Sequence, residues 1–546
     1  MKKLIELIKH LDKLPQKSIE DILTHLGSSE IVKMPDNERL DVYNSLMDLV
    51  TRHKRYAGAK WAFNSDLVQK IEEVIAKLAP TNPMYLYNRL FTNRRDIILL
   101  EKNDNWDEKQ IKLKERRQEA IQKILDFAGF DGTVQFAESV EAPDMVGFSL
   151  GSIAEAEIDS AILPRLLDPE NNKIMFLVSG FVWGRFAQHE WKWVDGISMI
   201  GWTQSQISQF FAFLPFIDET WKRVMDLLGD KDGEYWRIVA VNPYQCKGDL
   251  YIAIDKLHIH NRPLAAIDCL SKILYDKKPL DHDRVVKILL SAASTTESIN
   301  SHDIYNTIEI IKALQEDPST NPDDLFRIEW IYLPILDEYR GASPKLLELY
   351  LASHPDFFCE VIRLVYRSKK EIKSHIESNE KNKNIVLHSY HLLRRWRTPP
   401  GTQPDGHFSE THFKQWLVSV KTQCIESGHL EVAYQHIGNV LVHSPADPDG
   451  FFINCSIAEV LNEKDADNMR EGYYIAIINS RGVHGVDPEG KPELELAEKY
   501  NKLAKEVEDA GYQRFATTFK SLADSYNQEA RRIIDEHKNE EGAGAP

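Results

Sequence analysis

The stretch SGHLEVAYQHIGNVLVHSPADPDG, residues 427–450, places histidines at 429, 436 and 443, a spacing that suits either a shared metal or one stripe of a packed helix. Geometry decides between them. A helix rises 1.5 Å per residue, so seven residues set neighbouring histidines about 10.5 Å apart along the axis, whereas zinc ligands must each reach within about 2 Å of one ion. The three cannot share a metal. Gly428, Ala433 and Gly438 leave room for a neighbouring helix to approach closely, so the stretch reads as a packing helix.

The same grammar extends in both directions. In SIEDILTHL, Ser18 is expected to cap a helix whose Ile19, Ile22, Leu23 and Leu26 share one face, with Gly27 ending it. Pro35 and Asp36 open a segment with Leu40, Tyr43, Met47 and Val50 in helical register, closing on the basic turn RHKR at 52–55. Ser65 introduces a third helix that ends before Pro80. Residues 102–126 predict a strongly charged, largely exposed helix. The aromatic segment at 174–202 leaves a short strand open, although alternating runs bounded by Asn-Gly or Asp-Gly turns are scarce elsewhere. GDLYIAIDKLHIHNRPLAAIDCLSKILYDKKPL, from Gly248, holds two helices joined by a tight loop, with Pro263 at a first helical position. That is the size of one helical-hairpin repeat. Comparable pairs are expected at 302–351, 411–443 and 492–537.

The fold class that follows is all-α: a solenoid-like array of degenerate helical hairpins of the tetratricopeptide or HEAT kind. The expected organisation is an N-terminal helical domain (1–101), a middle helical domain with the aromatic segment (102–247), two blocks of hairpin repeats (248–396 and 397–537), and a disordered tail (538–546).

Bulk properties narrow the function classes. The chain has 546 residues, 42% hydrophobic and 28% charged, with a formal charge of −17. That acidity argues against binding dominated by nucleic-acid phosphates. Five cysteines without a CxxC pair fit reduced thiols, and the N-terminal MKKLIELIKHLDKLP is too polar for a signal peptide. FFAFLPFI at 210–217 is shorter than the ~18 residues a membrane span requires. A cytoplasmic location is expected.

Chemical motifs are weak. HEWKW at 189–193 has Trp193 where a zincin needs its second histidine. GFSLG at 147–151 satisfies GxSxG with Ser149 as nucleophile, but that elbow needs a buried strand before it, and helical sequence surrounds it. His388 with His391, and His258 with His260, lack a third ligand nearby. No phosphate-cradling glycine loop occurs, and no cofactor or metal is expected. Two surfaces stand out instead. The basic cluster at 363–373 and 391–401 brings Arg363, Arg367, Arg394, Arg395, Trp396 and Arg397 close in sequence, and arginine and tryptophan are frequent interface anchors. The polar loop 479–493 presents Arg481 and His484.

The stretches WRTPPGTQPDG, SGHLEVAYQHIGNVLVHSPADPDG and NSRGVHGVDPEGKPELELAEKY, with residues 23–63 and GFVWGRFAQHEWKWVDG upstream, resemble the helical C-terminal region of large bacterial proteins of the antiphage-defence type. In such proteins a helical region follows an effector or nucleotide-handling part, of the sort seen in sirtuin-like or NTPase systems. The resemblance implies a sensor or scaffold that recognises a protein ligand, such as one derived from phage, and signals to an effector. Any catalytic output would then come from that effector, whether a partner or part of a longer protein. The chain itself is expected to be non-enzymatic. The alternatives are a serine hydrolase using Ser149 and a nucleic-acid-binding scaffold using the Arg/Trp patch.

Overall fold

The computed structural model describes residues 2–93, 106–167, 171–337, 341–370, 380–483 and 485–543. Among the described residues the chain is helical throughout and has no strand; an isolated bridge joins Thr402 to Phe408. It divides into two units, Met1–Ala265 and Ala266–Pro546.

In the first unit, α1 (Gln16–Leu26), α2 (Asp36–Arg55) and α3 (Ser65–Leu78) enclose a core of Leu23, Leu26, Val42, Leu46, Ile71 and Leu78. Their punctuation is largely as expected: Pro35 precedes α2, and Gly27 ends α1. Two caps differ. Pro15, not Ser18, precedes α1, because the proline's fixed φ of −60° already presets the entry. For α3 the cap is Asn64, whose side chain accepts from the Leu67 N–H at 2.9 Å. The charged helix α4 spans Trp106–Ser139, burying Ile121 and Ile124 while Ile111 stays exposed.

The aromatic segment is a helix, α6 (Asn172–Gly196), and not a strand. Its partner is α5 (Pro143–Ile153). The reason lies in two glycine pairs, Gly147 with Gly151 and Gly180 with Gly184. A Cβ on Gly147 would stand 1.9 Å from the Leu177 carbonyl oxygen, and one on Gly180 1.9 Å from that of Asp144. The two backbones touch, and only hydrogen fits between them.

In the second unit, α7 (Pro322–Tyr332), α8 (Lys345–Ser353), α9 (Pro355–Val365) and α10 (Glu380–Arg395) lead into three hairpins. These are α11 (Glu410–Ser427) with α12 (Leu430–Leu441), α13 (Cys455–Asn462) with α14 (Asp467–Ser480), and α15 (Lys491–Asp509) with α16 (Gln513–Ala543). The last helix runs into the stretch the sequence assigned to a disordered tail. A Pro-acid-Gly turn precedes each hairpin: Pro404–Gly406, Pro448–Gly450 and Pro488–Gly490. The glycines have φ of 84°, 92° and 62°, a left-handed conformation that a β-carbon strains. An aspartate side chain closes each turn by accepting a main-chain N–H two residues on, Asp405 from His407 (3.0 Å), Asp447 from Asp449 (3.1 Å) and Asp487 from Glu489 (2.8 Å).

One continuous core of Leu351, Phe358, Trp396, Trp416, Ile437, Leu461, Tyr473 and Phe519 runs through these pairs. Gly428, at φ 73°, ends α11. Gly438 and Gly472 let α12 and α14 meet backbone to backbone, since a Cβ on Gly438 would lie 1.9 Å from the Met469 oxygen. A second stitch recurs in both units. Arg470, at the start of α14, donates to the carbonyls of Leu461 (2.6 Å) and Glu463 (2.8 Å) that end α13, while pairing with Asp467 three residues earlier. Arg39 does the same for the Val32 carbonyl and pairs with Asp36 at 2.6 Å. These orphan carbonyls would otherwise be left without donors at buried helix ends.

Candidate functional site

In the second unit α10, α12 and α14 are the second helices of successive pairs, and their last turns end together. Residues 390–397, 436–443 and 476–480, with Glu348 of α8 and Tyr366 after α9, wall a cleft of about 810 Å³. Two of the three periodic histidines converge on one tyrosine there. His436 Nε2 lies 2.8 Å from the Tyr366 hydroxyl, and His429 Nε2 lies 3.1 Å from the Tyr366 carbonyl oxygen. Burial drives the His436 pKa down to about 4, so its ring is neutral at physiological pH. His391 is also pushed down, first by burial and then by the adjacent charge of Arg395. His443 lines the same cleft. The three periodic histidines do not form one helical stripe: only His436 lies within α12, His429 being its N-cap and His443 following its end, so the packing role holds for the helix while the seven-residue spacing does not mark one face of it.

Three polar atoms in this lining, Trp396 Nε1, His436 Nδ1 and Asn439 Oδ1, are buried without a hydrogen-bond partner. Buried polar groups are almost always paired; Ser389 Oγ and Trp416 Nε1, away from the lining, are unpartnered too, so the three atoms mark unused hydrogen-bonding capacity beside the cleft and do not by themselves define it. Beneath it, Glu348 Oε2 accepts from the Arg397 N–H at 2.9 Å and the Thr398 hydroxyl at 3.0 Å, pinning the segment that carries the arginines. Burial raises the Glu348 pKa to about 7. Glu329 is raised to about 7 as well, chiefly by burial. It accepts from the Leu346 and Leu347 N–H groups at the start of α8, at 3.2 and 2.9 Å.

The residues singled out by sequence separate into groups. Arg394 and Arg397 are exposed and line the cleft. Arg395 also lines it, but its guanidinium donates to the Leu333 and Leu336 carbonyls at 2.7 and 3.0 Å, so it serves a helix end. Trp396 is 2% exposed and packs against Phe358 and Trp416; it anchors the core and not an outer surface. Arg363 and Arg367 are exposed and stand outside the lining. Arg481 pairs with the fully buried Glu493 and lies 3.7 Å from Glu529. His484 lies outside the described residues. Sequence reasoning missed Tyr366, Tyr390, Asn439, Asn479 and Glu348. The recurrent Pro-acid-Gly turns were the available signal, because they mark where each second helix ends and therefore where the cleft must form.

Ser149 lies inside α5, 2% exposed, with its hydroxyl donating to the Met145 carbonyl at 2.8 Å. GFSLG is one half of a close helix crossing and lacks the strand-to-helix turn that a nucleophile elbow requires. His189 and Glu190 sit where α6 kinks, Glu190 having φ 49°. Among the described residues, no group of three or more His, Cys, Asp or Glu side chains is placed to hold a metal ion. No helix there is long and apolar enough to cross a membrane. Comparison with known proteins returned no matching family, no matching curated protein and no matching solved structure.

Proposed function

We propose that the chain is a helical-hairpin binding module, and that its second unit docks a partner protein in the cleft formed where α10, α12 and α14 end. The supporting observation is the conjunction, in one concavity, of exposed Arg394 and Arg397 with the three unpartnered polar atoms of Trp396, His436 and Asn439. Stacked helical pairs provide a rigid frame for such a surface. In this reading the module itself performs no chemistry, and any catalytic output belongs to its partner.

A photoreactive amino acid at Asn479, which is exposed at the cleft, tests this against the same residue placed at exposed Lys505 on α15. Docking predicts a discrete protein adduct from native lysate at position 479, absent at 505 and lost with Arg394→Glu. Equal labelling at both positions would refute it. The antiphage role implied by the resemblance adds one expectation: Arg394→Glu should remove any protection from phage that the intact chain confers. Equal protection would take the cleft out of that role.

A further inference from the structure

We propose that the cleft recognises an extended acidic peptide segment, with an apolar side chain on the aromatic floor and carboxylates against Arg394 and Arg397. This rests on the reading that the cleft is the docking site, and adds the chemistry of what docks.

Charge is the first argument. The chain carries a net −17, yet the exposed charged side chains of this rim include two guanidiniums, and the acids beside them are Asp337 and the buried Glu348. A basic concavity on an acidic body concentrates field lines for an anionic ligand. The floor is the second. Tyr366 and Tyr390, both partly exposed, give it flat apolar area, the usual seat for a side-chain anchor. Main-chain recognition is the third. Asn439 Oδ1 has no partner, so turning its carboxamide toward a ligand sacrifices no hydrogen bond made by that oxygen. Asn479, on the adjoining helix, lines the same cleft. A carboxamide offers both a donor and acceptors, which matches a peptide unit. The volume, about 810 Å³, falls in the range of about 300–1,000 Å³ that holds a multi-residue or drug-sized ligand. Two exposed guanidiniums are too few for the counterion release that drives phosphate-backbone binding, so peptide is favoured over nucleic acid.

The experiment is selection of a random 12-residue peptide display library on the intact chain, followed by affinity measurement on Arg394→Glu/Arg397→Glu and on the milder Arg394→Gln/Arg397→Gln. Far-UV circular dichroism checks that both variants fold, and a 12-nucleotide single strand serves as competitor. The expected result is a recovered set rich in Asp and Glu, weakened about tenfold or more by charge reversal and less by neutralisation, with affinity falling as salt rises. Recovered peptides that depend on the arginines but are neutral or basic would overturn the acidic-peptide inference and leave the docking site standing. The same holds if the oligonucleotide binds at the arginines more tightly than any peptide. Peptides indifferent to both variants, or no enrichment, would overturn both.

Discussion

Gly438→Ala offers the sharpest test of the packing argument, because two known effects act on it with opposite signs. In an isolated helix, alanine for glycine stabilises by about 1 kcal/mol. Here the added methyl would stand 1.9 Å from the Met469 oxygen and 2.8 Å from its carbonyl carbon, roughly 1.5 Å short of ordinary contact. The obstacle is backbone and cannot rotate away, so α12 and α14 must separate, loosening Val440, Leu441, Met469 and Tyr473, all buried. Overpacking of this kind costs about 1–3 kcal/mol, and the rigidity of the obstacle places the net loss near the upper end after the helix-propensity gain is offset. Gly196→Ala is the control, since a Cβ there meets nothing within 4 Å. Urea denaturation followed by circular dichroism, with hydrogen exchange to localise the effect to residues 430–480, supplies the readout. A neutral or stabilised Gly438→Ala would refute the backbone-contact crossing.

Further outcomes follow from the same reasoning. Ser149→Ala should cost no more than about 1 kcal/mol, the worth of one side-chain hydrogen bond to a carbonyl, and a fluorophosphonate probe should leave Ser149 unlabelled; stoichiometric labelling would contradict its burial. Arg481→Ala removes the guanidinium paired with the buried Glu493 carboxylate and should destabilise by about 3–5 kcal/mol, with Glu493→Gln in the same background restoring part of the loss in a denaturation series. Glu348 and Glu329 each have a folded pKa near 7, above the ordinary carboxyl value. Their contribution is therefore fully present below about pH 4.5 and is lost as pH rises through 7. Replacing Glu348 with Gln should flatten the decline in stability between pH 5 and 8, and an unchanged pH profile would count against its burial.

Outside the aromatic segment at 174–202 the helical period was legible through most of the described residues, and so were several of its stops: Pro35, Gly27, Pro263 and Gly428 all sit at element boundaries. These are local effects, set by a ring, a missing β-carbon or a capping group, and a linear reading captures them. Gly438 in α12 was also legible as a point of close approach. The partner of that approach, Gly472, was not, because the contact joins residues 34 positions apart in sequence. GFSLG illustrates the converse. Its spacing of two small residues four apart served both a nucleophile elbow and a helix crossing; the helical surroundings argued against the elbow, and the matching GFVWG in α6 supplies the crossing. The arginines were found as a cluster, but sequence cannot say which guanidinium is spent on a carbonyl: neighbours Arg394 and Arg395 differ because Leu333 and Leu336 lie on one side of the helix end. Trp396 was read as a surface anchor since nothing local reveals that Phe358 and Trp416 enclose it.

The central claim, that a partner docks where the second helices of successive pairs end, is tested most directly by hydrogen exchange of the intact chain with and without the tightest peptide from the display selection. Slowed exchange confined to residues 390–397, 436–443 and 476–480 is the predicted pattern. Protection spread over the outer helices α15 and α16, with those three segments unchanged, would contradict it.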